Sequence, residues 1–141
     1  MKEIILIKDG ELALKGLNRS SFEAMLMKNI RWRIKPFGSF ELKQSQSTIT
    51  VNPLDGNADL DSAADEISRV FGIAGFSRAA VAEKDINDIL DIAPVYLKDQ
   101  LNEAKTFKVE AKRSDKKFPL TSPEISAMVG EKLLECFPHL S

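Results

Sequence analysis

Apolar and polar positions along this chain repeat with two periods, and the period changes where Gly, Pro or Asp interrupts it. Lys2 to Lys8 holds a nearly continuous apolar run, Ile4 to Ile7, which predicts a strand that is central in a sheet or buried on both faces. Gly10 and Gly16 punctuate the segment Asp9 to Asn18, and a helix is expected to begin at about Asn18 or Ser20. On it, Phe22, Leu26, Ile30, Ile34 and Phe37 fall on one side when each position is turned by about 100°. Lys28, Arg31 and Lys35 fall opposite, with Trp32 at the edge near Met25.

Two short strands follow at Phe40 to Lys43 and Thr48 to Asn52, joined by the polar Gln44 to Ser47 as a hairpin. Asp59 or Asp61 caps a second helix whose apolar residues are Leu60, Ala63, Ala64, Ile67, Val70 and Phe71, with Gly72 in the usual terminating position. A strand at about Phe76 to Ala82 completes the order βαββαβ, the ferredoxin-like arrangement. Many unrelated functions use that fold, so it says little about chemistry.

The composition shifts between Glu83 and Asp88, a plausible domain boundary. Asp85 then caps a helix with the apolar stripe Ile86, Ile89, Leu90, Ala93, Leu97 and Leu101, which Pro94 should kink or divide. Thr106 to Lys112 alternates as a strand with one buried face, and Arg113 to Leu120 is a basic loop. Thr121 or Ser122 starts the last helix, with Glu124 able to complete a capping box and Pro123 suited to the first turn. Its apolar face is Ile125, Met128, Val129, Leu133 and Phe137, and Pro138 stops it. The fold class is thus α+β: a ferredoxin-like domain over 1–82 and a smaller α/β domain over 83–141. Nothing after the last helix is placed to pair with strand 106–112. The expectation is therefore a chain cut inside its second domain, or strand pairing with another copy as a homodimer.

The formal net charge of −1 does not suggest a nucleic-acid protein, but its distribution changes that picture. Residues 1–35 carry eight Lys/Arg and four Asp/Glu, and residues 104–117 carry six and two. Residues 53–103 carry four and eleven. Two segments of net +4 flank one of net −7, and local potential decides whether a polyanion docks. In the second basic segment, Lys112, Arg113, Lys116 and Lys117 are the candidate phosphate contacts. Phe118 is either a stacking surface or part of a hydrophobic staple. Free amides at the start of the last helix would add to an anion site. Lys15, Arg19 and Arg31 form a second candidate set, and Trp32 either stacks on a base or packs under a neighbouring domain.

No run of about 18 apolar residues is present, and the first residues read as a strand instead of a signal peptide. Cys136 is the single cysteine, so no internal disulfide forms and a cytoplasmic setting is expected. Cys136 reads as a small buried hydrophobe and His139 as a residue of a frayed end. The acids Asp85, Asp88, Asp91, Asp99 and Glu103 do not converge into a metal site at helical spacing. Catalytic residues and bound metals are therefore expected to be none.

The phrase Phe107-Lys-Val-Glu-Ala-Lys-Arg-Ser-Asp-Lys-Lys-Phe-Pro-Leu-Thr-Ser-Pro-Glu124 closely resembles the THUMP domain of the tRNA 4-thiouridine synthetases, also described as tRNA sulfurtransferases or thiamine biosynthesis proteins. Asp9-Gly-Glu-Leu-Ala-Leu-Lys-Gly-Leu-Asn-Arg19, followed by Phe22 and Asn29, resembles the opening of the same family's ferredoxin-like domain. The resemblance implies a longer protein with further THUMP strands and an ATP-pyrophosphatase domain. ATP and Mg would belong to that absent domain, whose Ser-Gly-Gly-x-Asp-Ser loop this chain lacks. It also implies a tRNA partner held by the acceptor arm, and a cysteine desulfurase acting through the full-length protein to replace a uridine oxygen by sulfur. The alternative reading is a protein-interaction or small-ligand regulatory module of ferredoxin-like fold.

Overall fold

The computed structural model describes residues 2–9, 19–45, 48–70 and 72–141. They divide into two compact units, residues 1–81 and 82–141. Lys15 lies outside the described residues, as does the side chain of Arg19.

In the first unit, strands β1 (Glu3–Asp9), β2 (Phe40–Ser45), β3 (Thr48–Pro53) and β4 (Ile73–Ala80) form one antiparallel sheet in the order β2-β3-β1-β4. This is the split-βαβ topology the element order predicts. Its register explains the apolar run of β1. Ile5 pairs with Val51 and Ile7 with Ile49, so these four fully buried side chains share the face covered by the helices. Ile4 and Leu6 point to the other face and are half-buried, as a central strand requires.

Helix α1 (Arg19–Ile34), extended by a 3-10 turn at Lys35–Phe37, lays Leu26, Ile30 and Ile34 on that sheet face. Helix α2 (Leu60–Ile67) adds Ala63, Ala64 and Ile67. Asp59 caps α2 by accepting from the Ser62 amide at 3.1 Å. The helix closes at Ile67 with Ser68 as its C-terminal cap, one turn before Gly72. Gly72 still has φ +101°, and it lies so close to Phe22 that a β-carbon there would come within 2.9 Å of the ring.

In the second unit, Asp85 caps α3 (Ile86–Tyr96) through the Asn87 amide. The division expected at Pro94 falls three residues later, at Leu97, after which α4 (Lys98–Glu103) begins. Pro94 removes only its own N–H from the ladder, and the Leu97 amide still bonds to the Ala93 carbonyl at 3.1 Å, so the helix runs through the proline and ends at the next turn. Helix α5 (Ser122–Cys136) packs Val129 and Leu133 against Leu101 and the half-buried Ile89, Leu90 and Ala93.

Residues 106–112, expected as a strand, join no ladder among the described residues. The alternation is nevertheless present. Phe107 and Val109 pack into the α3–α5 core while Lys108, Glu110 and Lys112 are exposed. Periodicity reports which face is buried; it does not supply a neighbouring strand.

The end of the chain is not frayed. Phe137 and Leu140 are buried, and His139 Nε2 lies 2.9 Å from the Leu101 carbonyl, with its ring edge-on to Phe137. Cys136, expected to be buried, is exposed. It follows Glu135 on the outer side of α5, beyond the face on which Leu133 and Phe137 lie.

Candidate nucleic-acid interface

The basic loop between residues 112 and 121 is shaped by its own polar groups. The Arg113 amide donates to Ser122 Oγ at 2.9 Å, and its guanidinium donates to the carbonyls of Phe118 and Leu120 at 3.2 and 3.4 Å. Asp115 accepts from the Lys117 amide and from Lys84 Nζ, both at 3.0 Å, while its carbonyl accepts from the Phe118 amide. Those two side-chain bonds, together with the positive charges of Lys84 and Arg113, hold the Asp115 carboxyl below its ordinary value of 3.8.

Thr121 is the N-cap. Its hydroxyl accepts from the Glu124 amide at 3.4 Å, and the Glu124 carboxylate accepts from the Thr121 amide at 3.1 Å. The capping box is complete, and the bonds that the Thr121 amide and, at 2.9 Å, the Thr121 hydroxyl donate to the carboxylate lower the Glu124 pKa. The arrangement changes the expectation for the helix end. Pro123 has no N–H, the Glu124 amide is used by the cap, and the Ile125 amide already bonds to the Thr121 carbonyl. Only the Ser122 amide is left, beside a carboxylate, so the helix end is not a phosphate cradle.

What remains for an anion is a triad of lysines. Lys112, Lys116 and Lys117 are exposed and have no carboxylate partner among the described residues. Arg113, expected beside them as a phosphate contact, is half-buried and already commits its guanidinium to loop carbonyls. Phe118 is half-buried and lines a shallow cleft with Ala111, Ile89 and Ile125. With Thr121 at the cap, the staple position belongs to Leu120, so Phe118 is free of that role. The part played by Lys84 had no signal in the sequence, because it meets Asp115 from 31 residues away.

A second cationic surface lies on α1 and the 3-10 turn that extends it. Lys28, Arg31 and Lys35 are exposed without carboxylate partners among the described residues, whereas Arg33 pairs with Glu66 at 3.3 Å. Trp32 stands between them, 76% exposed. No helix among the described residues is long and apolar enough to cross a membrane.

Comparison with known proteins accounts for both units. Residues 4–77 match the family model of the ThiI ferredoxin-like domain, and residues 83–141 match that of the THUMP domain. The probable tRNA sulfurtransferase of Acetivibrio thermocellus is 43% identical over 143 residues, covering 100% of this chain and 36% of that protein. That of Caldanaerobacter subterraneus is 41% identical over 135 residues, covering 96% and 34%. This chain therefore spans about a third of the length of these relatives. Among solved structures, a 4-thiouridine synthetase in an RNA complex with bound ATP superposes with a TM-score of 0.78 at 29% identity, covering 100% of this chain and 35% of that one. A Pyrococcus horikoshii protein superposes with a TM-score of 0.73 at 32% identity, covering 94% and 44%. By both its ferredoxin-like unit and its THUMP unit, the chain belongs to the tRNA sulfurtransferase family.

Proposed function

We propose that this chain is the tRNA-binding region of a tRNA 4-thiouridine synthetase, which grips the acceptor arm while a separate ATP-dependent domain thiolates a uridine. The observation that carries the reading is the triad Lys112, Lys116 and Lys117, exposed and without a carboxylate partner among the described residues, on a loop whose backbone is fixed by Arg113 and Asp115. A loop held in this way presents its charges with little further loss of entropy on binding. Such contacts position an RNA by its phosphates and shape; they do not read bases. Arg113 acts through the loop as a positioning residue. Sulfur supply by a cysteine desulfurase, and ATP with Mg, belong to parts of the protein beyond this chain's residues.

The test is the anisotropy of a labelled tRNA acceptor-stem RNA titrated with the chain between about 50 and 200 mM salt. The variant Lys112→Ala/Lys116→Ala/Lys117→Ala should bind more weakly, with a log-log salt slope smaller by about three, one for each phosphate contact. Binding by the parent chain with an unchanged slope in the variant would move the contact elsewhere. Failure of the folded parent to bind at low salt would instead favour a protein-interaction module.

A further inference from the structure

Trp32 is the only tryptophan in the chain, and at 76% exposed it is the most exposed large apolar residue among those described. Met25, two turns earlier on α1, is 58% exposed. Two shallow hollows meet at the indole, one walled by Phe22, Met25 and Asn29, the other by Pro36 and Phe37. A free indole of this size is unfavourable to leave in water, since full burial of a large apolar side chain is worth about 1.5–3 kcal/mol.

Its surroundings indicate what covers it. Lys28 stands one turn before Trp32 on α1 and Lys35 three residues after it, at the start of the 3-10 turn that extends the helix, and Arg31 adjoins them. None of the three has a carboxylate partner among the described residues, and Glu66, the acid bordering the farther hollow, is held by Arg33 and Arg69. An apolar protein partner would have to bury these cations or supply acids for each. A single-stranded nucleic acid satisfies both features at once, because its bases stack on an aromatic face while its phosphates lie beside the cations.

We infer that Trp32 is a stacking platform for an unpaired nucleotide of a bound RNA, with Lys28, Arg31 and Lys35 contacting the adjoining phosphates. The inference rests on the RNA-binding reading above and adds a second contact surface, on the ferredoxin-like unit, to the lysine loop.

Because Trp32 is the sole indole, the intact chain reports on itself. An acceptor-stem RNA with an unpaired end is titrated while RNA anisotropy and protein fluorescence are followed together, with Trp32→Ala and Trp32→Phe alongside. The expected result is quenching of the indole in step with binding. Affinity should fall roughly 5- to 150-fold in Trp32→Ala, the range of one base–aromatic stack, and be largely retained in Trp32→Phe. If the RNA binds but fluorescence does not change and Trp32→Ala binds as the parent does, the platform is overturned while the lysine loop stands. If no RNA binds at low salt, both readings fall. If iodide fails to quench the indole in the free protein because copies associate through it, Trp32 faces protein and the inference is overturned.

Discussion

Single residues set the limits of what this chain tolerates, and Gly38 is the clearest case. It joins the 3-10 turn after α1 to β2 with φ +140°, ψ −171°, a region essentially reserved for glycine. A β-carbon there would sit 2.8 Å from the Ala58 Cα, which is backbone and has little room to move. The neighbouring bonds Asp59 N–H to Phe37 O at 2.7 Å and Leu54 N–H to Ser39 O at 2.9 Å hold this loop in place. Gly38→Ala should cost roughly 2 kcal/mol or more, read as a lowered urea midpoint with an unchanged slope. Arg113 is the corresponding residue in the second unit. Arg113→Lys keeps the charge but loses the rigid, planar guanidinium whose Nη1 reaches the carbonyls of both Phe118 and Leu120, so it should loosen the loop and weaken RNA binding. If Arg113→Lys binds RNA as the parent does, the guanidinium is dispensable and charge alone suffices. These uses of Arg113 were not legible in the sequence, where a cation among cations reads as a phosphate contact. The carbonyls it serves become its partners only once the loop closes.

At the scale of elements, most of the fold was legible because it rests on local signals. The Asp59 and Asp85 caps and the Thr121–Glu124 capping box each follow from side chains that satisfy amides three residues away or less, and the apolar stripe of α1 follows from helical spacing. Features that depend on distant groups were not legible. Cys136 is exposed, and His139 closes onto Leu101 from 38 residues away. Strand-like alternation over 106–112 gave no ladder among the described residues. The capping box also sets a pH response. Both Glu124 and Asp115 titrate below their ordinary values of 4.5 and 3.8, so each stabilises the loop in its charged form. That contribution is fully present above the ordinary carboxylate range and is lost as pH falls through the depressed values. Amide exchange at Thr121 and Lys117 should therefore be unchanged from pH 7 to about 5, after correction for intrinsic rates, and lose protection below about 4. Loss of protection already at pH 6 would assign the loop's order to another group. Thr121→Ala removes the cap hydroxyl and should destabilise the second unit by about 1 kcal/mol.

For the whole molecule, the total charge of −1 conceals the feature on which the functional reading depends. If RNA responds to local lysines, neutralising distant acids should matter little. Asp99 and Glu103, both exposed on α4, suit this test. The neighbouring Leu101 carbonyl meets His139, just beyond the C-terminal end of α5, whereas the lysine loop leads into the N-terminal end. A helix of 15 residues is about 22 Å long, more than two Debye lengths at physiological salt. Asp99→Asn/Glu103→Gln takes the formal net charge from −1 to +1, yet should alter affinity for an acceptor-stem RNA by no more than about twofold and leave the salt slope as it was. Removing three lysines from the loop takes the net charge from −1 to −4, in the opposite direction, and should lower the slope by about three. If the acid-neutralised variant instead gains as much affinity as the lysine variant loses, association follows the field of the whole molecule and no discrete phosphate site exists on the loop.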